Sequence, residues 1–159
     1  MPTERLNVYW DANAFIGYIA GEPDKVAACT EVVKAAMREK IMIFSSAIIH
    51  VEVLHLGRKL GKEIPPEDRE KIRRFFDEPF VRVITADRWI CRDAQEWFWK
   101  NPALGWKDAI HIATVMKKEI PVFHTYDPDL LQYSGSFGEP PVKICKPGLE
   151  IGPLFNPNP

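Results

Sequence analysis

Cysteine is scarce in this chain: Cys29, Cys91 and Cys145 are its only three, widely spaced and with no CxxC pair. That odd number excludes a disulfide framework, and the spacing excludes a thiolate zinc site. The three read as reduced, packed thiols of a cytoplasmic protein. Long hydrophobic runs are also missing. None approaches the roughly 20 residues of a membrane span, and Thr3-Glu4-Arg5 leads directly into a strand-like run, so no signal peptide is expected. Neither sign of charge dominates. Lys and Arg number 21 against 22 Asp and Glu, a net charge of -1. No overall basic field advertises a polyanionic partner, although a local basic patch remains open. No internal repeat is visible.

What is present suits one globular domain. The 159 residues are 46% hydrophobic and 27% charged, enough to bury a substantial core. Short apolar runs at 6–10, 41–44, 81–84, 121–125 and 142–145 read as strands. Helices are predicted over 12–20, from an Asp24 cap to about Glu39, from Ser45-Ser46 through Glu52, from Pro66 to Phe76, from a Thr85 or Asp87 cap to about Lys100, and from about Lys107 to Lys118. The second of these carries an apolar stripe of Val26, Cys29, Val33 and Met37 or Ala36. Strands alternating with helices imply a largely parallel sheet covered on both faces. Ligands bind such sheets at the carboxyl ends of their strands.

Four carboxylates stand out at those ends. Asp11 follows Val8-Tyr9-Trp10. Glu52 lies between Ile48-Ile49 and Val53-Leu54. Asp108 precedes Ala109-Ile110, and Asp127 follows the Val122-Phe123 strand. Each has an ordinary reading by itself: a helix cap for Asp11, a salt bridge for Glu52, a favourable dipole contact for Asp108, a turn for Asp127. Together they are harder to dismiss. An ionised carboxylate in apolar surroundings is costly. Two of them about 4 Å apart repel by roughly 4 kcal/mol at an effective dielectric near 20. A divalent cation with oxygen ligands relieves that repulsion.

The stretches Val8-Tyr9-Trp10-Asp11-Ala12-Asn13, Ser45-Ser46 through Val51-Glu52-Val53-Leu54, Lys107-Asp108-Ala109-Ile110-His111-Ile112-Ala113-Thr114 and His124-Thr125-Tyr126-Asp127 resemble, in order and spacing, the successive motifs of PIN-domain ribonucleases. The toxins of VapBC-type toxin–antitoxin pairs are the most numerous members. The resemblance implies a three-layer α/β/α PIN-like domain over residues 1–145, with a central, mainly parallel four- or five-stranded sheet. It implies a ribonuclease using Mg²⁺ or Mn²⁺, with Asp11, Glu52, Asp108 and Asp127 as catalytic metal ligands. Thr125 matches a supporting hydroxyl position and Asn13 a small polar one, whereas Tyr126 stands where many members carry a small polar residue. An RNA substrate, a cognate antitoxin and a homodimer follow from the same resemblance.

The remaining features are less specific. His50 and His55 are five apart and point about 140° apart on a helix, so they cannot share a zinc ion. His111 reads as a packed, hydrogen-bonded helix residue, with a supporting contact to the carboxylates as the alternative; His124 is assigned no role. Arg58, Lys59, Lys62, Arg69, Lys71, Arg73, Arg74 and Lys107 read as a solvated face or, with Arg73, Arg74 and Lys107 foremost, as a rim for RNA phosphates. The five tryptophans suit core or oligomer packing better than base stacking. Helices around 24–40 and 66–76 offer a partner surface. Residues 146–159 form a Pro-rich tail. Two rival readings remain: a non-catalytic RNA-binding or protein-interaction module of the same fold, and a haloacid-dehalogenase-like phosphatase. The phosphatase wants a second aspartate where this chain has Asn13.

Overall fold

A computed structural model describes residues 4–57 and 61–149. Five strands form one sheet in the order β3-β2-β1-β4-β5, every neighbouring pair parallel. They are β1 (Leu6–Trp10), β2 (Ile41–Ser46), β3 (Val81–Ile84), β4 (Val122–His124) and β5 (Lys143–Cys145). The helices are α1 (Ala12–Ile19), α2 (Val26–Met37), α3 (Ile49–Glu52), α4 (Pro66–Phe76), α5 (Arg88–Lys100), α6 (Trp106–Lys117) and α7 (Pro128–Leu131).

Strand periodicity sorts the core into two layers. Side chains alternate faces along a strand. Val8 and Trp10 of β1 therefore join Phe15, Cys29, Val33, Phe75 and Phe76 of α1, α2 and α4. Tyr9, between them, joins Ile90, Ala94, Ile112 and Leu130 of α5, α6 and α7. β4 repeats the division, Val122 to the first cluster and Phe123 to the second. A strand buried on both faces has no polar side to show, which is why these runs are continuously apolar. The result is the three-layer α/β/α arrangement expected, with five strands.

Three local expectations are corrected. Ser45 and Ser46 do not cap a helix; they are the last residues of β2, paired with Val83 and Ile84 of β3. The Ser45 hydroxyl instead donates to the Trp10 carbonyl at 2.8 Å. The helix carrying Glu52 is consequently one turn, without a side-chain cap. The β-branched Ile48, Ile49, Val51 and Val53 around it are weak helix formers. At α2 the cap position is Lys25, not Asp24, and it makes no capping bond. On the same helix Ala36 is buried while Met37 is two-thirds exposed. Elsewhere the elements match: Pro66 opens α4 and the Asp87 carboxylate caps α5 through the Trp89 and Ile90 amides. Arg58, Lys59 and residues 150–159 of the Pro-rich tail lie outside the described residues. Within the start of that segment, Leu149 packs on the first core cluster.

Candidate functional site

The chain reverses its direction of sheet growth between β1 and β4, because β2 and β3 lie on one side of β1 and β4 and β5 on the other. The carboxyl ends of strands at such a reversal leave a crevice. Asp11 follows β1 there, and Thr125 and Asp127 follow β4. Glu52 comes from α3 after β2, and Asp108 from the first turn of α6.

Asp11 is 5% exposed and anchors two elements. Its Oδ1 accepts the Ala14 amide at 3.3 Å, capping α1, and its Oδ2 accepts the Thr125 hydroxyl at 2.5 Å. Thr125 Oγ1 in turn accepts the Asp127 amide at 3.0 Å. One buried hydroxyl thus ties the aspartate after β1 to the one after β4. Asp127 caps α7, accepting the Asp129 amide at 2.9 Å. Asp11 and Asp127 therefore do fill the ordinary capping roles available to them, and neither role consumes the whole carboxylate.

The electrostatics mark a crowded acidic centre. Burial pushes the Asp11 carboxyl up to about 6, only partly opposed by the Thr125 hydroxyl and His111, while Glu52 raises it further. Asp108 is also held above its ordinary value, first by burial, then by Asp127, with Glu52 and Asp129 adding to the repulsion and His111 opposing it. Mutual repulsion links all four sequence-selected carboxylates. Gly105 makes room for one of them: a Cβ at that position would stand 3.1 Å from Asp108 Oδ2.

Glu52 has a direct partner. Its Oε1 lies 2.7 Å from His111 Nε2, and His111 Nδ1 lies 2.6 Å from the Tyr9 hydroxyl. His111 and Tyr9 are fully buried. Of the two readings open for His111 the structure shows both, a packed helix residue that also touches a carboxylate. Tyr9 was missed altogether. Its only signal was a phenol on an otherwise apolar central strand, where a buried hydroxyl needs a partner.

The other selected residues are placed differently. Asn13 is exposed on α1, and its side chain makes no hydrogen bond among the described residues. Arg73 and Arg74 are exposed on α4. Arg74 pairs with Glu70 at 3.4 Å and borders a groove of about 480 Å³ among α1, α2 and α4. Lys107 stands over the exposed Trp106 ring, 5.6 Å from its centroid. His55 lies beyond the end of α3, and the His50 ring packs against Phe76. His124 is fully buried and accepts the Trp10 indole N–H at 3.0 Å.

The donor set suits a hard cation: carboxylate oxygens that burial and like charge hold above their ordinary protonation range. Among the described residues, no three His, Cys, Asp or Glu groups close around a point as a finished metal cage. The fit is therefore one of chemistry and placement.

A doubly wound parallel sheet with an acidic crevice at its reversal point defines the class. The chain matches the PIN domain over residues 8–135 and belongs to that family. Two solved structures share the fold. One is the Mycobacterium tuberculosis VapC20, a toxin that cleaves the sarcin–ricin loop (17% identity, 77% of this chain and 91% of that one, TM-score 0.60). The other is VapBC2 from Rickettsia felis bound to a DNA fragment from its promoter (15% identity, 89% and 98%, TM-score 0.60). No curated protein matches by sequence. Among the described residues no helix is long and apolar enough to cross a membrane.

Proposed function

We propose that this protein is a metal-dependent ribonuclease, acting as the toxin of a toxin–antitoxin pair, with Asp11, Glu52, Asp108 and Asp127 as its catalytic carboxylates. The observation that supports the reading is that Glu52 repels both Asp11 and Asp108, and Asp127 repels Asp108, across the ends of β1, β4 and α6. Their crevice would hold Mg²⁺ or Mn²⁺ chiefly through Asp11 and Asp108, with Glu52 and Asp127 completing the shell. When bound, such an ion neutralises a phosphodiester and activates water. The chain's own part is orientation. Thr125 fixes one oxygen of Asp11 and the backbone ahead of Asp127. The Asp11 cap fixes α1 to the end of β1. Lys107, beside Asp108, is the nearest cation in sequence for an RNA phosphate, with Arg73 and Arg74 assigned to a more distant stretch.

The sarcin–ricin loop cleavage by VapC20 supports an RNA substrate, and VapBC2 supports a cognate antitoxin. The groove lined by Tyr18, Ile19, Val26 and Phe75 suits an apolar antitoxin segment. The exposed Phe98, Trp99 and Trp106 across α5 and α6 suit a homodimer contact. Function in the cytoplasm accords with the unpaired cysteines.

The test is cleavage of a fluorescent single-stranded RNA in Mn²⁺, with an EDTA control. Asp11→Asn and Asp108→Asn should each lower the rate at least ~10²-fold while the far-ultraviolet dichroism stays native. Cleavage at the wild-type rate by both variants refutes the assignment. Native metal and RNA binding without any cleavage would favour the non-catalytic module.

A further inference from the structure

The contact between His111 and Glu52 has more to it than packing. Glu52 is a candidate ligand on a short, weakly held backbone segment. It ends a single helical turn that has no side-chain cap, and one turn is too short to be stable by itself. Its side chain is nevertheless only 12% exposed, with Oε1 bonded to His111 and, among the described residues, no partner on Oε2. His111 is held far more firmly. It lies one turn after Asp108 on α6, so the two share a helix face. Its ring meets the Tyr9 ring edge-on at 5.5 Å, and Tyr9 sits on the central strand with Phe123 edge-on at 4.9 Å.

The proton inventory gives this chain a direction. A tyrosine phenol carries a proton at neutral pH and can donate it. Donation to His111 Nδ1 leaves the ring's own proton on Nε2, which then donates to Glu52 Oε1. That arrangement satisfies both short contacts with a neutral ring. A ligating carboxylate held by an outer hydrogen-bond partner loses typically 10–100-fold in metal affinity when the partner is removed.

We propose that His111 is a positioning residue for the metal site: clamped by Tyr9 on β1, it holds Glu52 Oε1 and leaves Oε2 to meet the cation. This rests on the nuclease reading above. It adds that the one-turn α3 needs a partner on α6 to place its carboxylate, and that Tyr9, two residues before Asp11, belongs to the same apparatus.

Mn²⁺ binding to the RNA-free protein, followed by calorimetry, tests this directly. His111→Leu should weaken Mn²⁺ about 10–100-fold. His111→Gln, whose amide can still donate to Glu52, should stay within a few-fold of the wild type. Tyr9→Phe should fall between them. Loss in the Gln variant equal to that in the Leu variant, or no loss in either, overturns the proposal. Should the Leu variant not fold, nitrogen chemical shifts of the wild-type His111 ring decide: a protonated Nε2 with a bare Nδ1 is expected, and the opposite tautomer overturns it. Failure of the wild type to bind Mn²⁺ would instead bring down the metal-dependent reading itself.

Discussion

At the scale of the residue, burial has opposite consequences for two neighbours of the crevice. His124 is fully enclosed and held down to about 3, by burial first and then by the charge of Lys143. Its ordinary value is near 6.5. The unfolded chain thus takes up this proton first, so the contribution of neutral His124 is fully present above about pH 6.5 and is lost progressively as pH falls toward 3. Proton resonances of His124 should stay those of a neutral ring at pH 5; a ring that titrates near 6.5 contradicts the burial argument. Asp11 runs the other way. Its folded value, raised from 3.8 to about 6, means the folded metal-free protein holds the proton more tightly. Stability from the neutral form is present below about pH 4 and lost as pH rises through 6. The shift of about 2 units corresponds to about 3 kcal/mol. In EDTA, Asp11→Asn should remove a corresponding part of the slope between pH 4 and 6, measured by urea unfolding. An unchanged slope would show that Asp11 is not buried as an isolated carboxyl.

At the scale of the element, local signals were legible where one residue type decides the outcome. Pro66 at the first turn of α4 and Asp87 at the cap of α5 are such cases, as are the apolar runs of the five strands. The failures came where a side chain's partner lies on another element. Ser45 and Ser46 looked like caps, but pairing with β3 extends β2 through both. Nothing local announces that the Ser45 hydroxyl will meet the Trp10 carbonyl. For the same reason the Tyr9–His111–Glu52 chain was not visible: its contacts span 102 and 59 positions. The four carboxylates were legible as candidates because each is an acid in an apolar run. That they repel one another depends on the sheet order and on the placing of α3 and α6, which no local pattern announces. The start of α6 carries a further prediction. Gly105→Ala would place a Cβ against Asp108 Oδ2, so RNA cleavage should fall about 10-fold with a stability change within about 1 kcal/mol. Full activity in that variant would show that the carboxylate yields freely.

At the scale of the whole molecule, one topological fact organises everything else. The sheet grows outward from β1 in both directions, so the ends of β1, β2 and β4 and the first turn of α6 come to share a single edge. The two core layers lock α1 and α6 to opposite faces of that edge. Carboxylates drawn from positions 11 to 127 thereby act on one another. Family membership agrees with this geometry, matching the PIN domain over 8–135. The most direct measurement is anomalous diffraction from crystals soaked in Mn²⁺. The expected result is a peak in the crevice with Asp11 and Asp108 oxygens as ligands and Glu52 and Asp127 beside it. A peak bound elsewhere, or a saturated soak with no peak among these carboxylates, would contradict the reading of the crevice as a metal-dependent nuclease centre.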